Sequence, residues 1–284
     1  MNALKTTLLL AAITGLFLLI GVLLGGITGL IIAFVGAGAM NFFAYWSSDK
    51  LALRMAGARE VSQDDQPRLH SMVEEVAAQA GMPKPRVYIV ENATPNAFAT
   101  GRNPKHSAVA VTTGIMNLLD ERELRGVLGH ELGHVRNRDI LTSSIVATLA
   151  GAISMLAWMS LWFGGMGRDR NNPYGGIIAL AAFLLAPIAA MLIQAGVSRT
   201  REFQADATGA EVTHDPEALA SALEKLHSGV QARPMEPTPM AQSTAHLYIV
   251  NPFRGGGVVN LFSTHPPIEE RVRRLRKLAY PGAS

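Results

Sequence analysis

The sequence predicts an α+β chain, mostly helical, in which four transmembrane helices carry one polar domain with a small β-sheet. Three observations predict it. The 284 residues contain three long uncharged runs. Hydrophobic residues make up 49% and charged residues 17% of the chain, against about 25% charged in typical soluble domains. Finally, short segments rich in β-formers, punctuated by Pro, Asn and Gly, cluster between residues 85 and 114.

The first uncharged run extends 43 positions, from Thr6 to Ser48. A spanning helix needs about 20 apolar residues, so the run suits two helices. Paired glycines favour a turn, and Gly25-Gly26 divides the run into Thr6–Leu24 and Ile27–Trp46. Tyr45 and Trp46 stand where aromatic residues mark a membrane interface. No small-residue cleavage site separates the two halves, so the first is read as a retained span. The runs Ile140–Gly167 and Asn171–Ser198, of 28 residues each, are spans three and four, joined by the turn "RDRNNPYGG".

Positive charge sets the orientation. Lys5, Lys50, Arg54, Arg59, Arg136, Arg138, Arg199 and Arg201 fall on one side, and only Arg168 and Arg170 on the other. The basic excess belongs inside, which places both termini and the polar mass in the cytoplasm. Four segments follow: a transmembrane hairpin at 1–46, the first part of a cytoplasmic domain at 47–139, a second hairpin at 140–198, and the rest of the domain at 199–284.

Within the polar mass, Gln66 to Ala80 has helical apolar spacing, ended by Gly81 and Pro83. "PRVYIVEN", "NAFATG" and "HSAVAVTTG" read as a small sheet. Asp120 followed by Glu123 is a capping-box pattern that starts a helix at Glu121, running through His134 and open to continuation into span three. "DPEALASALEKLHSG" and "PPIEERVRRLRKL" are two further helices, and residues 229–262 read as a long loop.

The chain has 8 His, and two stand four apart in "GHELGH". On a helix such residues share a face. His130 and His134 can therefore aim at one ion, with Glu131 beside them to take a water proton, which is the logic of an HExxH zinc site. A catalytic zinc takes a third protein ligand and leaves a position to water. Directly after span four, "SRTREFQADATGAE" places Glu202 and Asp206 four apart. Glu202 is a candidate ligand and Asp206 a candidate acceptor for a ligand imidazole N–H. The spacing equally allows both to pair with Arg199 or Arg201 on a solvated helix.

Together "GHELGHVRNRD", a pair of hydrophobic spans, "REFQADATGA", the upstream "NAFATG" and the late "STHPPIEERVRRL" resemble the HtpX-type membrane zinc endopeptidases, relatives of the CAAX prenyl endopeptidases. The resemblance covers almost the entire chain, with a weak match over 229–262. It implies a zincin-like metallopeptidase domain of the gluzincin kind, holding one Zn²⁺ per chain on His130, His134 and Glu202. It also implies Glu131 as catalytic base and Asp206 in support. The implied location is the bacterial inner membrane, with a cytoplasmic active site. The implied role is stress-response cleavage of damaged membrane proteins and unfolded polypeptides.

Such a protease holds its substrate extended along a strand edge, and the resemblance makes Asn96, Ala97, Phe98 and Ala99 the candidate edge, with a plain hairpin strand that puts Phe98 in the core as the alternative. The developing oxyanion needs an electrophile beside the metal. His265 is the first candidate and Arg271 the second, with a turn histidine and a lipid-facing basic helix as the structural alternatives. His70, His106, His214, His227 and His246 lack a partner at metal spacing and read as surface or packing residues. Asp139 reads as a membrane-boundary residue.

The absence of cysteine excludes disulfides and thiolate metal sites. A formal charge of +3 without a nucleic-acid motif gives no reason to expect nucleic acid as a partner. The rival reading is a membrane chaperone or assembly factor with structural zinc, which calls for four protein ligands. A transporter would carry ionisable residues within its spans, and these spans have none.

Overall fold

The computed structural model describes residues 2–146, 199–236, 247–251 and 266–280. Helix α1 (Asn2–Met55) is assigned as one element, yet the chain doubles back within it. Asn41 Nδ2 donates to Thr14 Oγ1 at 2.8 Å, whereas 27 residues of straight helix would separate them by about 40 Å. The reversal falls at Gly26, whose φ of +56° is open to glycine at no steric cost. Beyond it, Gly26–Phe43 is long and apolar enough to cross a membrane, with mean hydropathy 1.7. Its large side chains are bare: Ile27, Ile32 and Phe34 are 78%, 68% and 65% exposed. From Ser48 onward the same helix is clasped by the polar domain, with Ser48, Asp49, Ala52 and Leu53 all buried. Apart from residues 140–146, the expected spans three and four lie outside the described residues.

The domain is mostly helical around one mixed sheet. Strands β1 (Ala58–Glu60), β2 (Arg86–Val90), β3 (Ala97–Asn103) and β4 (His106–Thr112) lie in the order β1-β2-β4-β3. The pair β2–β4 is parallel and the others antiparallel. That order leaves β3 at an edge. Helix α2 (Pro67–Gln79) turns Leu69, Met72, Val73, Val76 and Ala77 inward, at the spacing the sequence shows. The short helix α3 (Thr113–Leu118) takes the end of the "HSAVAVTTG" segment out of the sheet, because Thr112 caps it by accepting from the Ile115 N–H.

Helix α4 (Glu121–Arg136) begins with the expected capping box. Asp120 Oδ1 accepts the Glu123 N–H at 2.9 Å, and the Asp120 N–H donates to Glu123 Oε2 at 3.1 Å. It does not run on into the next span. Arg138 adopts φ 60°, and helix resumes at residue 140. Helices α5 (Arg199–Thr213), α6 (Pro216–Ala232) and α7 (Ile268–Ala279) follow among the described residues. Residues 229–232, expected in the loop, continue α6. Leu124, Val127 and Leu128 of α4, Leu219, Leu223 and Leu226 of α6, and Val272 and Leu275 of α7 share one core with β2 and β4.

Candidate metal centre

Two helices meet here backbone to backbone. A Cβ on Gly209 of α5 would stand 2.7 Å from the His130 nitrogen and 2.8 Å from the Gly129 carbonyl carbon. One on Gly133 of α4 would stand 3.0 Å from the Ala205 oxygen. Glycines at these contacts let α4 and α5 touch without intervening side chains. The contact brings Glu202 and Asp206 of α5 against His130 and His134 of α4.

The ligand-type atoms of His130, His134 and Glu202 all lie within 4.8 Å of one another. His130 Nε2 is 3.8 Å from Glu202 Oε2, and His134 Nε2 is 3.5 Å from Glu202 Oε1. Donors placed tetrahedrally at about 2.1 Å from one zinc would stand about 3.4 Å apart. The cluster therefore fits a zinc ion with little adjustment. Among the described residues the group has three members, the number that leaves a coordination place for solvent.

Each histidine is aimed from behind by a carboxylate. His130 Nδ1 lies 2.9 Å from Asp206 Oδ1, and His134 Nδ1 lies 3.1 Å from Asp139 Oδ2. An N–H donated at Nδ1 leaves the Nε2 lone pair free for a metal. Asp139, read from the sequence as a membrane-boundary residue and not a zinc ligand, faces His134 and is buried. The left-handed Arg138 turns the chain back, and the Asp139 N–H bonds the His134 carbonyl at 2.9 Å.

Arg271 of α7, read from sequence as a lipid-facing or oxyanion-binding residue, is fully buried. Its Nε and Nη2 donate to the two oxygens of Asp206 at 2.9 and 2.7 Å, and its Nη1 donates to the Ile249 carbonyl at 2.9 Å. Planar guanidinium matched to planar carboxylate fixes Asp206, and Asp206 fixes His130. Asp206's cationic partner is therefore Arg271, on another helix.

Glu131 is also buried, and its Oε2 accepts the Ala99 N–H of β3 at 2.8 Å. The HExxH turn thereby sits against the edge strand carrying Ala97, Phe98 and Ala99, all buried. Asn96, just before that strand, accepts the Ile249 N–H at 3.2 Å through Oδ1. His265 lies outside the described residues.

Burial pushes the His130 imidazole down to about 4, so it is neutral, as a ligand must be. Burial pushes the Glu131 carboxyl up to about 8, against the pull of His134. For His134, burial acts downward, but the bond to Asp139 and the charges of Glu202 and Glu131 outweigh it and raise it to about 9. Burial acts upward on Asp206, and Arg271 overcomes it and holds the carboxyl near 2.

The family model described as Peptidase family M48 matches residues 63–279 of the chain. The chain is 57% identical to a protease HtpX homolog of Persephonella marina over 284 residues, covering 98% of each. It is 53% identical to a protease HtpX homolog of Ralstonia nicotianae over 281 residues, covering 99% of this chain and 98% of that one. Among solved structures it is similar to S. mikatae Ste24p, with a TM-score of 0.48 and 15% identity. That match covers 96% of this chain and 65% of the other.

Proposed function

The chain belongs to peptidase family M48 and is a membrane zinc protease, and from that premise we propose an integral-membrane endopeptidase that cuts damaged or misfolded membrane proteins at the cytoplasmic surface. The observation that carries this reading is the convergence of His130, His134 and Glu202, with Glu131 one residue along the same helix turn.

One Zn²⁺ per chain would be held by those three residues. When bound, it supplies an electrophile that acidifies a water molecule and polarises the scissile carbonyl. Glu131 takes a proton from the attacking water and returns it to the leaving amine nitrogen. The Ala99 N–H holds the Glu131 carboxylate in place for that transfer. Asp206 and Asp139 orient His130 and His134 through their Nδ1 atoms. Arg271 is engaged with Asp206 and Ile249, which supports giving the oxyanion to His265.

Substrate would lie extended along Asn96–Ala99. Edge position and contact with Glu131 support that choice. The bare apolar surface of Gly26–Phe43 and the reversal at Gly26 support a hairpin of two spans. The two uncharged runs at 140–198 and the bias of basic residues support two more spans, with both termini and the site cytoplasmic.

The test is Glu131→Gln in the full-length protein. The variant should keep its zinc and lose cleavage of an unfolded polypeptide. Undiminished cleavage by the zinc-loaded variant would remove Glu131 as the base.

A further inference from the structure

The metal centre has a fixed relation to the point where α1 enters the polar domain. Phe42, Phe43, Tyr45 and Trp46 are 66%, 55%, 39% and 47% exposed, and two residues later the helix is buried in the domain. Tyr45 and Trp46 therefore mark the interface level, where amphipathic rings settle. At that level the guanidinium carbon of Arg102, near the end of β3, lies 4.6 Å from the centre of the Trp46 ring. The contact ties the β3–β4 hairpin to the interfacial end of the helix. Lys105 and His106 stand exposed at the hairpin turn beside it.

The same strand holds Glu131 through the Ala99 N–H. Between Ala99 and Arg102 the strand edge is closed to a partner. The Gly101 N–H donates to Ser144 Oγ at 3.3 Å, and that oxygen is 2.6 Å from Thr100 Oγ1. With the Ala99 N–H held by Glu131, a peptide paired along β3 can therefore follow it only as far as the Ala99 carbonyl before turning out beside Arg102 and Trp46. Three strand residues separate these points, about 10 Å.

We infer that the Arg102–Trp46 contact is an interfacial anchor that holds the cleavage site about three extended residues from the membrane surface, so that the preferred substrate is a segment directly adjoining a membrane span. The inference rests on the proteolytic reading above and adds to it the substrate's distance from the bilayer. Arg102 and Trp46 act as positioning residues and touch neither the metal site nor the reacting atoms.

The test uses the full-length, zinc-loaded enzyme in vesicles of phosphatidylcholine and phosphatidylglycerol. One substrate is a soluble unfolded polypeptide. The other has a single span joined to the same target sequence by a Gly/Ser spacer of 4 or 30 residues. For the wild type the short spacer should be cut faster, by roughly 20-fold if effective concentration falls as the −3/2 power of spacer length. Arg102→Glu and Trp46→Ala should lose about tenfold on the short spacer alone. They should keep wild-type rates on the long spacer and the soluble substrate, which also shows that they fold. Arg102→Lys, which retains the cation, should restore most of the short-spacer rate. Wild-type enzyme that cuts the long spacer but not the short one overturns the inference, as do variants with an unchanged spacer profile or an equal loss on all three substrates. Failure of wild-type enzyme on every substrate would overturn the proteolytic reading, and this inference with it.

Discussion

Replacing Gly209 with alanine adds one methyl group where α5 lies against α4. The new Cβ would meet the His130 nitrogen at 2.7 Å, the Gly129 carbonyl carbon at 2.8 Å and the His130 Cα at 3.0 Å. All three are backbone atoms in a helix, so no rotamer change can relieve the clash. Reaching ordinary contact at 3.4 Å requires the helices to part locally by 3.4 − 2.7 = 0.7 Å. The shift enters the metal site directly, because His130 is on one helix and Glu202 on the other. Metal–ligand distances tolerate about 0.2 Å, and overpacking costs about 1–3 kcal/mol.

The expected result is a folded, less stable protein that binds zinc at least tenfold more weakly, within the 10–100-fold range for disturbed ligand support. Peptidase activity should fall by about 100-fold, as for a misplacement of about 1 Å. Zinc affinity is read by competition with a chromogenic chelator, and activity on an unfolded polypeptide. Gly229→Ala is the control, since its Cβ would meet the Leu118 side chain, at 2.8 Å, and the Pro95 ring, not helix backbone. Wild-type zinc affinity and turnover in Gly209→Ala would refute the claim that close helix contact builds the site.

Asp139→Asn should weaken zinc binding by about 10–100-fold, measured by chelator competition, because His134 loses the carboxylate behind its Nδ1. Arg271→Met should destabilise the protein by about 3–5 kcal/mol in thermal or denaturant unfolding, since it leaves buried Asp206 without its cation. Treatment with chelator should abolish cleavage and lower the unfolding temperature, and re-added zinc should restore both.

Much of this centre is visible in the sequence, because it is written in local spacing. The pair His130 and His134 and the capping box of Asp120 and Glu123 each need only one helix to be understood. The inward face of α2 and the strand at Ala97–Asn103 are equally local, whereas the edge position of that strand depends on the sheet order and is suggested only by the family resemblance. Asp139 needs more than spacing. Its approach to His134 depends on Arg138 taking a left-handed conformation that neither residue announces. Arg271 is concealed by its company, standing among exposed Arg273, Arg274 and Arg276 in a helix that reads as basic and lipid-facing. The available signal was its position four before Leu275, which puts both on the buried face of α7. The glycines of "GVLGHELGH" recur at helical spacing as well. Their meaning appears only with Gly209 opposite, 76 residues on from Gly133.

The charges of the centre give a separate reason for a dication there. Four carboxylates are buried around it: Glu131, Asp139, Glu202 and Asp206. Two guanidiniums, Arg201 and Arg271, are buried with them. Four negative charges against two positive ones leave a formal balance of −2, with both histidines neutral. Buried charge without a counter-charge is expensive enough to make groups take up protons instead, and the upward displacement of Glu131 and His134 is that response. An ion of charge +2 at the three converging donors would cancel the excess. It would also allow His134 to be neutral, and let Glu131 stand ionised and ready to accept a proton. The spacing that fits a zinc ion and the charge that favours a divalent one rest on the same side chains.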